Sequence, residues 1–216
     1  MADAIAHYEE ALRLNPDDAE THNNLANALA SMPDRLDDAI VHYEKALRLR
    51  PDLAKVHCNL ANVLVKVPGR LADALAQYEE ALRLDPNHAA AHNDFAIALA
   101  EASGRLDDAI AHYEEALRLK PDFAEAHYNL ANALAKNSGR TSEVIAHYEE
   151  AVRLDPDHID ARNNLAAYYA AAGRLDAAIG QLEIAARLAP DSAMIRNNLE
   201  SLRAKRKSQT GNPSSP

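Results

Sequence analysis

The 216-residue chain has one cysteine, no tryptophan, two phenylalanines and six glycines. A lone thiol, Cys58, excludes an internal disulfide framework, so packing must hold the fold and a reducing compartment suits it. No apolar run approaches the roughly 18 residues a membrane helix requires. The start MADAIAHYEE has neither the basic region nor the apolar stretch of a secretory leader. Both absences predict no membrane contact by this segment and a cytoplasmic location. Basic charge is short as well: 23 Lys and Arg stand against 33 Asp and Glu, a formal charge of -10. That is the wrong sign for a nucleic-acid backbone, whose binders carry a basic stripe. There is no nucleophile elbow, no phosphate-cradling glycine loop and no zinc-protease helix, so the reading is non-enzymatic, without cofactor. With 48% hydrophobic and 26% charged residues, the chain is nonetheless equipped to bury a core.

What the chain has in abundance is repetition. YEEALRLNPDD, YEKALRLRPDL, YEEALRLDPNH, YEEALRLKPDF and YEEAVRLDPDH recur, and Pro16, Pro51, Pro86, Pro121, Pro156 and Pro190 keep the beat, with four intervals of 35 residues and a last one of 34. A fixed period of this size means stacked units, none of which can bury its apolar face alone.

Each unit reads as two amphipathic helices. Leu25, Ala26, Leu29 and Ala30 recur at helical spacing in the first, and Ala39, Ile40, Tyr43, Ala46 and Leu47 in the second. The residue after each proline, Asp17, Asp52, Asn87, Asp122, Asp157 or Asp191, is expected to cap the following helix, with capping-box spacing at Asp17/Glu20 and Asp122/Glu125. Gly69, Gly104, Gly139 and Gly173 are placed for a left-handed turn between the helices. Glu9/Arg13, Glu44/Arg48, Glu79/Arg83, Glu114/Arg118, Glu149/Arg153 and Glu183/Arg187 are spaced as i,i+4 ion pairs on a solvated face.

On these residues the chain resembles the tetratricopeptide-repeat family. A small residue follows the first-helix leucine (Ala26, Ala61, Ala96, Ala131, Ala166). An alanine opens the second-helix seam (Ala39, Ala74, Ala109, Ala178), an aromatic comes four residues later (Tyr43, Tyr78, Tyr113, Tyr148), and a proline closes the unit. The resemblance implies an all-α fold, a right-handed α-solenoid of helix-turn-helix repeats with about twelve helices. Where the family often has a large aromatic, this chain has His22, His57, His92, His127 and Arg162. A 35-residue period is also similar to the pentatricopeptide RNA-binding family, but the RLxPD junction and the acidic charge disfavour it.

The expected organisation is a half repeat over 1–16, five repeats over 17–190, a capping helix over 191–207 and a disordered tail over 208–216. The half repeat is a second helix with no first helix ahead of it. Its presence predicts upstream repeats or a domain in a longer protein. Its stripe of Ala4, Ile5, Tyr8, Ala11 and Leu12 predicts fraying or contact with another chain, a homo-oligomer included. Glu200 and Arg203 on the last helix suit a solvent-facing end.

The histidines form two series, His7, His42, His112 and His147, and His22, His57, His92 and His127. Along either series the members are a helix pair apart, too far to share a metal, so no metal site is expected and His88/His92 is the one local pair to check. Asparagine is the candidate binding residue. The position before the first-helix leucine holds Asn24, Asn59, Asp94, Asn129, Asn164 and Asn198, and three residues on stand Asn27, Asn62 and Asn132, with Ile97 and Ala167 breaking the second row. In the family, first helices line the inner surface, and a carboxamide both donates and accepts, so each side chain is expected to read an extended peptide backbone. The series resembles the asparagine ladder in the superhelix of O-linked N-acetylglucosamine transferases. The competing reading is that these asparagines only bond neighbouring helices. A carboxylate clamp for chaperone tails is disfavoured, because Glu20, Glu125 and Asp160 occupy positions where only Lys55 is basic. The functional expectation is a scaffold holding a peptide or partner protein in its concave groove. The alternatives are a substrate-recruiting arm of a larger enzyme, such as a glycosyltransferase, and a self-assembling structural protein.

Overall fold

The structure, a computed structural model, describes residues 2–136 and 139–210. Among these residues there are twelve α-helices, one turn of 3-10 helix and no strand. The chain divides into two compact units, Met1–Leu119 and Lys120–Pro216. The first contains α1 (Ala2–Leu14), α2 (Ala19–Ala30), the 3-10 turn (Pro33–Arg35), α3 (Leu36–Leu49), α4 (Ala54–Leu64), α5 (Leu71–Leu84), α6 (Ala89–Glu101) and α7 (Leu106–Leu119). The second contains α8 (Ala124–Leu134), α9 (Thr141–Leu154), α10 (Ile159–Ala171), α11 (Leu175–Leu188) and α12 (Ala193–Thr210). In each unit successive antiparallel hairpins stack through alternating first and second helices, the α-solenoid arrangement.

Close approach of the helices explains the alanines. Ala26, Ala39, Ala46, Ala61, Ala74, Ala96, Ala109 and Ala116 in the first unit, and Ala131, Ala151, Ala178 and Ala185 in the second, have no exposed surface. Beside them the rings of Tyr43, Tyr78, Tyr113 and Tyr148 fill the seams, each 2–3% exposed. In the last hairpin Leu182 takes the tyrosine position, 1% exposed. A larger side chain at the alanines has nowhere to go, and a smaller one at the tyrosines leaves a void.

Local signals are placed as follows. The four loop glycines have φ between 76° and 103°, the left-handed region where a Cβ is costly. The first hairpin has no glycine and turns through the 3-10 helix, with Pro33 at its start. Helix capping differs from expectation by one residue. The residue after the proline lies in the turn, and the cap is the next one, because the helix begins only after two turn residues. Asp18, not Asp17, accepts from the backbone N–H of Glu20 and Thr21. His88 and His158 do the same through Nδ1 to Ala91 and Ala161, whereas Leu53 and Phe123 supply no side-chain cap.

The ion pairs also differ. Arg13, Arg83, Arg118 and Arg153 make forked bonds to Glu10, Glu80, Glu115 and Glu150 at i–3 rather than to the glutamates at i–4. Arg48 instead uses i–4, at 3.9 Å from Glu44, because Lys45 occupies its i–3 position. Glu149 instead accepts from the Tyr169 hydroxyl and pairs with Arg174, and Glu183 pairs with Arg203 of α12. These pairs are exposed and contribute little each.

At the ends, α1 has a packing partner in the helix that follows it. Ile5 is buried, and Tyr8 and Leu12 pack half-buried against the core of α2 and α3, leaving Ala4 exposed. Helix α12 runs to Thr210, so residues 208–210 of the expected tail are helical; 211–216 lie outside the described residues.

Candidate functional site

The two rows of asparagines lie on the first helices α2, α4, α6, α8, α10 and α12. Asn24, Asn59, Asp94, Asn129 and Asn164 are half-buried, Asn198 is exposed, and in the second row Asn27 is exposed while Asn62 and Asn132 are half-buried. Within each unit the structure brings the rows together across the hairpin and across the repeat junction. The buried Tyr43 hydroxyl donates to Asn27 Oδ1 at 2.6 Å, and Asn59 Nδ2 of the next repeat donates to the same oxygen at 3.0 Å. In the second unit Tyr148 donates to Asn132 Oδ1 at 2.5 Å, and Asn164 Nδ2 donates to that oxygen at 3.3 Å. Tyr78 donates to Asn62 Oδ1 in the same way.

The second row therefore has a structural duty. A phenolic hydroxyl inside a helix seam needs a partner, and for Tyr43, Tyr78 and Tyr148 it is the asparagine sixteen residues before; sixteen before Tyr113 stands Ile97. Where the sequence drops the asparagine at Ala167, it also drops the tyrosine at Leu182. Burial pushes the phenols of Tyr43 and Tyr148 up to about 12 and raises that of Tyr78 as well, so all three are neutral donors.

This pairing fixes the polarity of what remains. The carbonyl oxygens of Asn27 and Asn132 each accept two bonds, which fills both lone pairs and leaves their NH₂ groups as donors. Asn59 spends its N–H groups on Asn27 and, at 3.3 Å, on Asn23 Oδ1; Asn164 spends its own on Asn132 and on the Tyr148 hydroxyl. What Asn59 and Asn164 have left is Oδ1, an acceptor, with that of Asn164 also 3.5 Å from Asn163 Nδ2. At these two steps the second-row residue is left with a donor and the first-row residue with an acceptor, whereas Asn62 both accepts from Tyr78 and donates to Asp94. Asn198 donates to Asn163 Oδ1 at 2.9 Å, and Asn24 accepts from Asn23 at 3.4 Å.

A second constellation was missed from sequence. The two histidine series pair across each hairpin: Nδ1 of His22 and His42, of His92 and His112, and of His127 and His147 are 2.9 Å apart. The Nε2 atoms of His22, His92 and His127 lie 3.0–3.1 Å from the carbonyls of Pro16, Pro86 and Pro121. A carbonyl only accepts, so Nε2 of the inner ring carries the proton and its Nδ1 accepts from Nδ1–H of the outer ring. His57 repeats the bond to Pro51 but faces Gln77, and Arg162 donates to Pro156 and Gln181. The residue in the family's aromatic position is thus a strut from the first helix to the repeat junction. The signal in the sequence was the constant 20-residue offset between the two series, read along the solenoid and not across the hairpin. Burial, and then the facing ring, hold His42, His112 and His147 below the ordinary histidine range. His88 and His92 do not converge, since His88 Nδ1 caps α6 and His92 Nδ1 faces His112. No group of three or more metal-ligating side chains converges among the described residues.

Comparison with known families settles the class. Three tetratricopeptide-repeat patterns match the sequence, one over residues 2–32, 34–67 and 101–138, one over 59–103 and one over 135–205. The chain belongs to the tetratricopeptide-repeat (TPR) family. Solved structures agree. YrrB, described as a TPR protein with an unusual peptide-binding site, is 26% identical, with a TM-score of 0.68 over 91% of this chain and 97% of its own. TTC0263, a thermophilic TPR protein of Thermus thermophilus, is 24% identical with a TM-score of 0.60, over 87% and 100%. Yeast Tom70 shares the fold at 21% identity and a TM-score of 0.72, over 95% of this chain and 43% of that one. A search of curated proteins found no match. Among the described residues of this TPR chain, no helix is long and apolar enough to cross a membrane.

Proposed function

We propose that this TPR chain is a protein-interaction scaffold whose first-helix face holds an extended peptide or partner segment by its backbone. The observation that carries the reading is the split polarity of the two rows. At the Asn27/Asn59 and Asn132/Asn164 steps the NH₂ group of the second-row residue and the Oδ1 of the first-row residue are left for a ligand, one donor and one acceptor at each. A peptide group presents the complementary pair, a C=O for the donor and an N–H for the acceptor. The amides are held in place before any ligand arrives, which lowers the ordering cost of binding. The peptide-binding site ascribed to YrrB supports the same class of use.

Affinity from such contacts is distributed, at about 0.5–1.5 kcal/mol net per neutral hydrogen bond. The test is calorimetry with a peptide selected from a random display library. Asn129→Ala alone is expected to weaken binding less than about tenfold, and Asn59→Ala, Asn129→Ala and Asn164→Ala together more than about a hundredfold. Unchanged affinity in the triple variant, with helicity retained, returns these side chains to a purely structural role. Because Asn59 and Asn164 also tie adjacent repeats, the triple variant is expected to unfold at lower denaturant, and binding must be measured well below that transition.

A further inference from the structure

The ladder changes character at one step. In the third repeat the first-row residue is Asp94 and the second-row residue is Ile97, where the preceding repeat has Asn59 and Asn62. The swap keeps the shape of the first-row side chain but makes it acceptor-only and charged. Asn62 responds: its Nδ2 donates forward to Asp94 Oδ2 at 3.3 Å, whereas Asn27 and Asn132 receive a bond from the corresponding residue of the next repeat. Asn93 Nδ2 lies 3.3 Å from Asp94 Oδ1. These are long, neutral contacts for a half-buried carboxylate. None of the ion pairs among the described residues includes Asp94. Its charge is felt by the phenol beneath it, since Asp94 adds to burial in raising Tyr78.

Asp94 also lines a cavity of about 310 Å³, together with Asn62, Val65, Lys66, Tyr78 and Ile97. Val65 and Ile97 give the cavity an apolar wall beside a single negative charge. That combination, an anionic end and a hydrocarbon wall, matches the long stem and cationic head of a basic side chain. We propose that this cavity is a subsite for an arginine or lysine side chain of the bound peptide, so that a ladder otherwise reading backbone reads one side chain here. The inference rests on the peptide-binding reading above. Lys66, exposed and also lining the cavity, is the built-in competitor for the carboxylate.

The experiment uses peptides selected against the whole chain from a random twelve-residue display library, re-synthesised with each basic residue replaced by norleucine. Selected sequences are expected to carry Arg or Lys at one fixed position, and its replacement to weaken binding about tenfold, or about 1.4 kcal/mol. Asp94→Asn restores the residue of the neighbouring repeats; it is expected to abolish that difference, read as the ratio of the two peptides' affinities for one variant and not as either affinity alone. Lys66→Met is expected to enlarge the difference, an effect that a structural role for Asp94 does not produce. Salt should weaken the basic peptide more for wild type than for Asp94→Asn. Binders without a basic preference, or equal discrimination in wild type and Asp94→Asn, overturn the subsite and leave backbone reading standing. Failure of the library to yield any binder whose affinity responds to Asn132→Ala overturns backbone reading, and the subsite with it.

Discussion

The pairing of Tyr148 with Asn132 makes a quantitative prediction about asymmetry. Replacing Tyr148 by Phe keeps a ring that is 2% exposed and removes one hydroxyl. Asn132 Oδ1 still accepts from Asn164 at 3.3 Å, so no buried group is stranded and the cost is that of one hydrogen bond, about 0.5–1.5 kcal/mol. Asn132→Ala does the reverse. It leaves the phenol proton inside the seam with no acceptor, because the remaining neighbour, Asn164 Nδ2 at 3.4 Å, is itself a donor. An unsatisfied buried donor costs about 1–3 kcal/mol. Once Asn132 is gone, removing the hydroxyl should therefore cost nothing or recover stability. The two substitutions are not additive, and the double variant should be no less stable than Asn132→Ala. Urea denaturation gives the midpoints, and native-state hydrogen exchange in α8–α10 localises the effect, which matters because solenoids can open repeat by repeat. Additive losses in the double variant would refute the assignment of the second row to the tyrosines.

Three further outcomes follow from the same geometry. His42, His112 and His147 have folded pKa values below the unfolded value of about 6.5, so the unfolded chain binds more protons in acid; their contribution is complete above that value and is lost as pH falls through the folded one. Asp38 and Glu9 around His42, Asp108 and Glu115 around His112, and Glu143 and Glu150 around His147 oppose the shift, while the facing histidine and Arg35, Arg105 or Arg140 add to it; an NMR titration placing these three at or above 6.5 contradicts the pairing. Gly104→Ala meets no atom within 4 Å of the new Cβ at φ +76°, so it should cost about 1 kcal/mol from the torsion alone, measurable by denaturant midpoint. Ala109→Leu, at a position with no exposed surface, should cost about 1–3 kcal/mol through overpacking, with the loss confined by hydrogen exchange to the hairpin of α6 and α7.

Much of this fold is written locally. The 35-residue beat, the 3.6-residue spacing of the seam alanines and the glycines at left-handed turns each act within one hairpin, so the sequence alone determined helix-turn-helix units that must stack. The near misses are local too: caps one residue late and arginines choosing the nearer glutamate, where one turn of backbone decides between adjacent candidates. The tertiary structure decided what the polar residues do. Spacing placed Asn27 and Asn59 on one face, but which atom of each carboxamide points outward depends on the Tyr43 hydroxyl arriving from another helix. The histidine pairs are likewise invisible along the ladder and plain across the hairpin. A carboxamide or an imidazole has a donor and an acceptor edge that periodicity cannot orient; only the partner supplied by the neighbouring helix fixes which edge is left for a ligand.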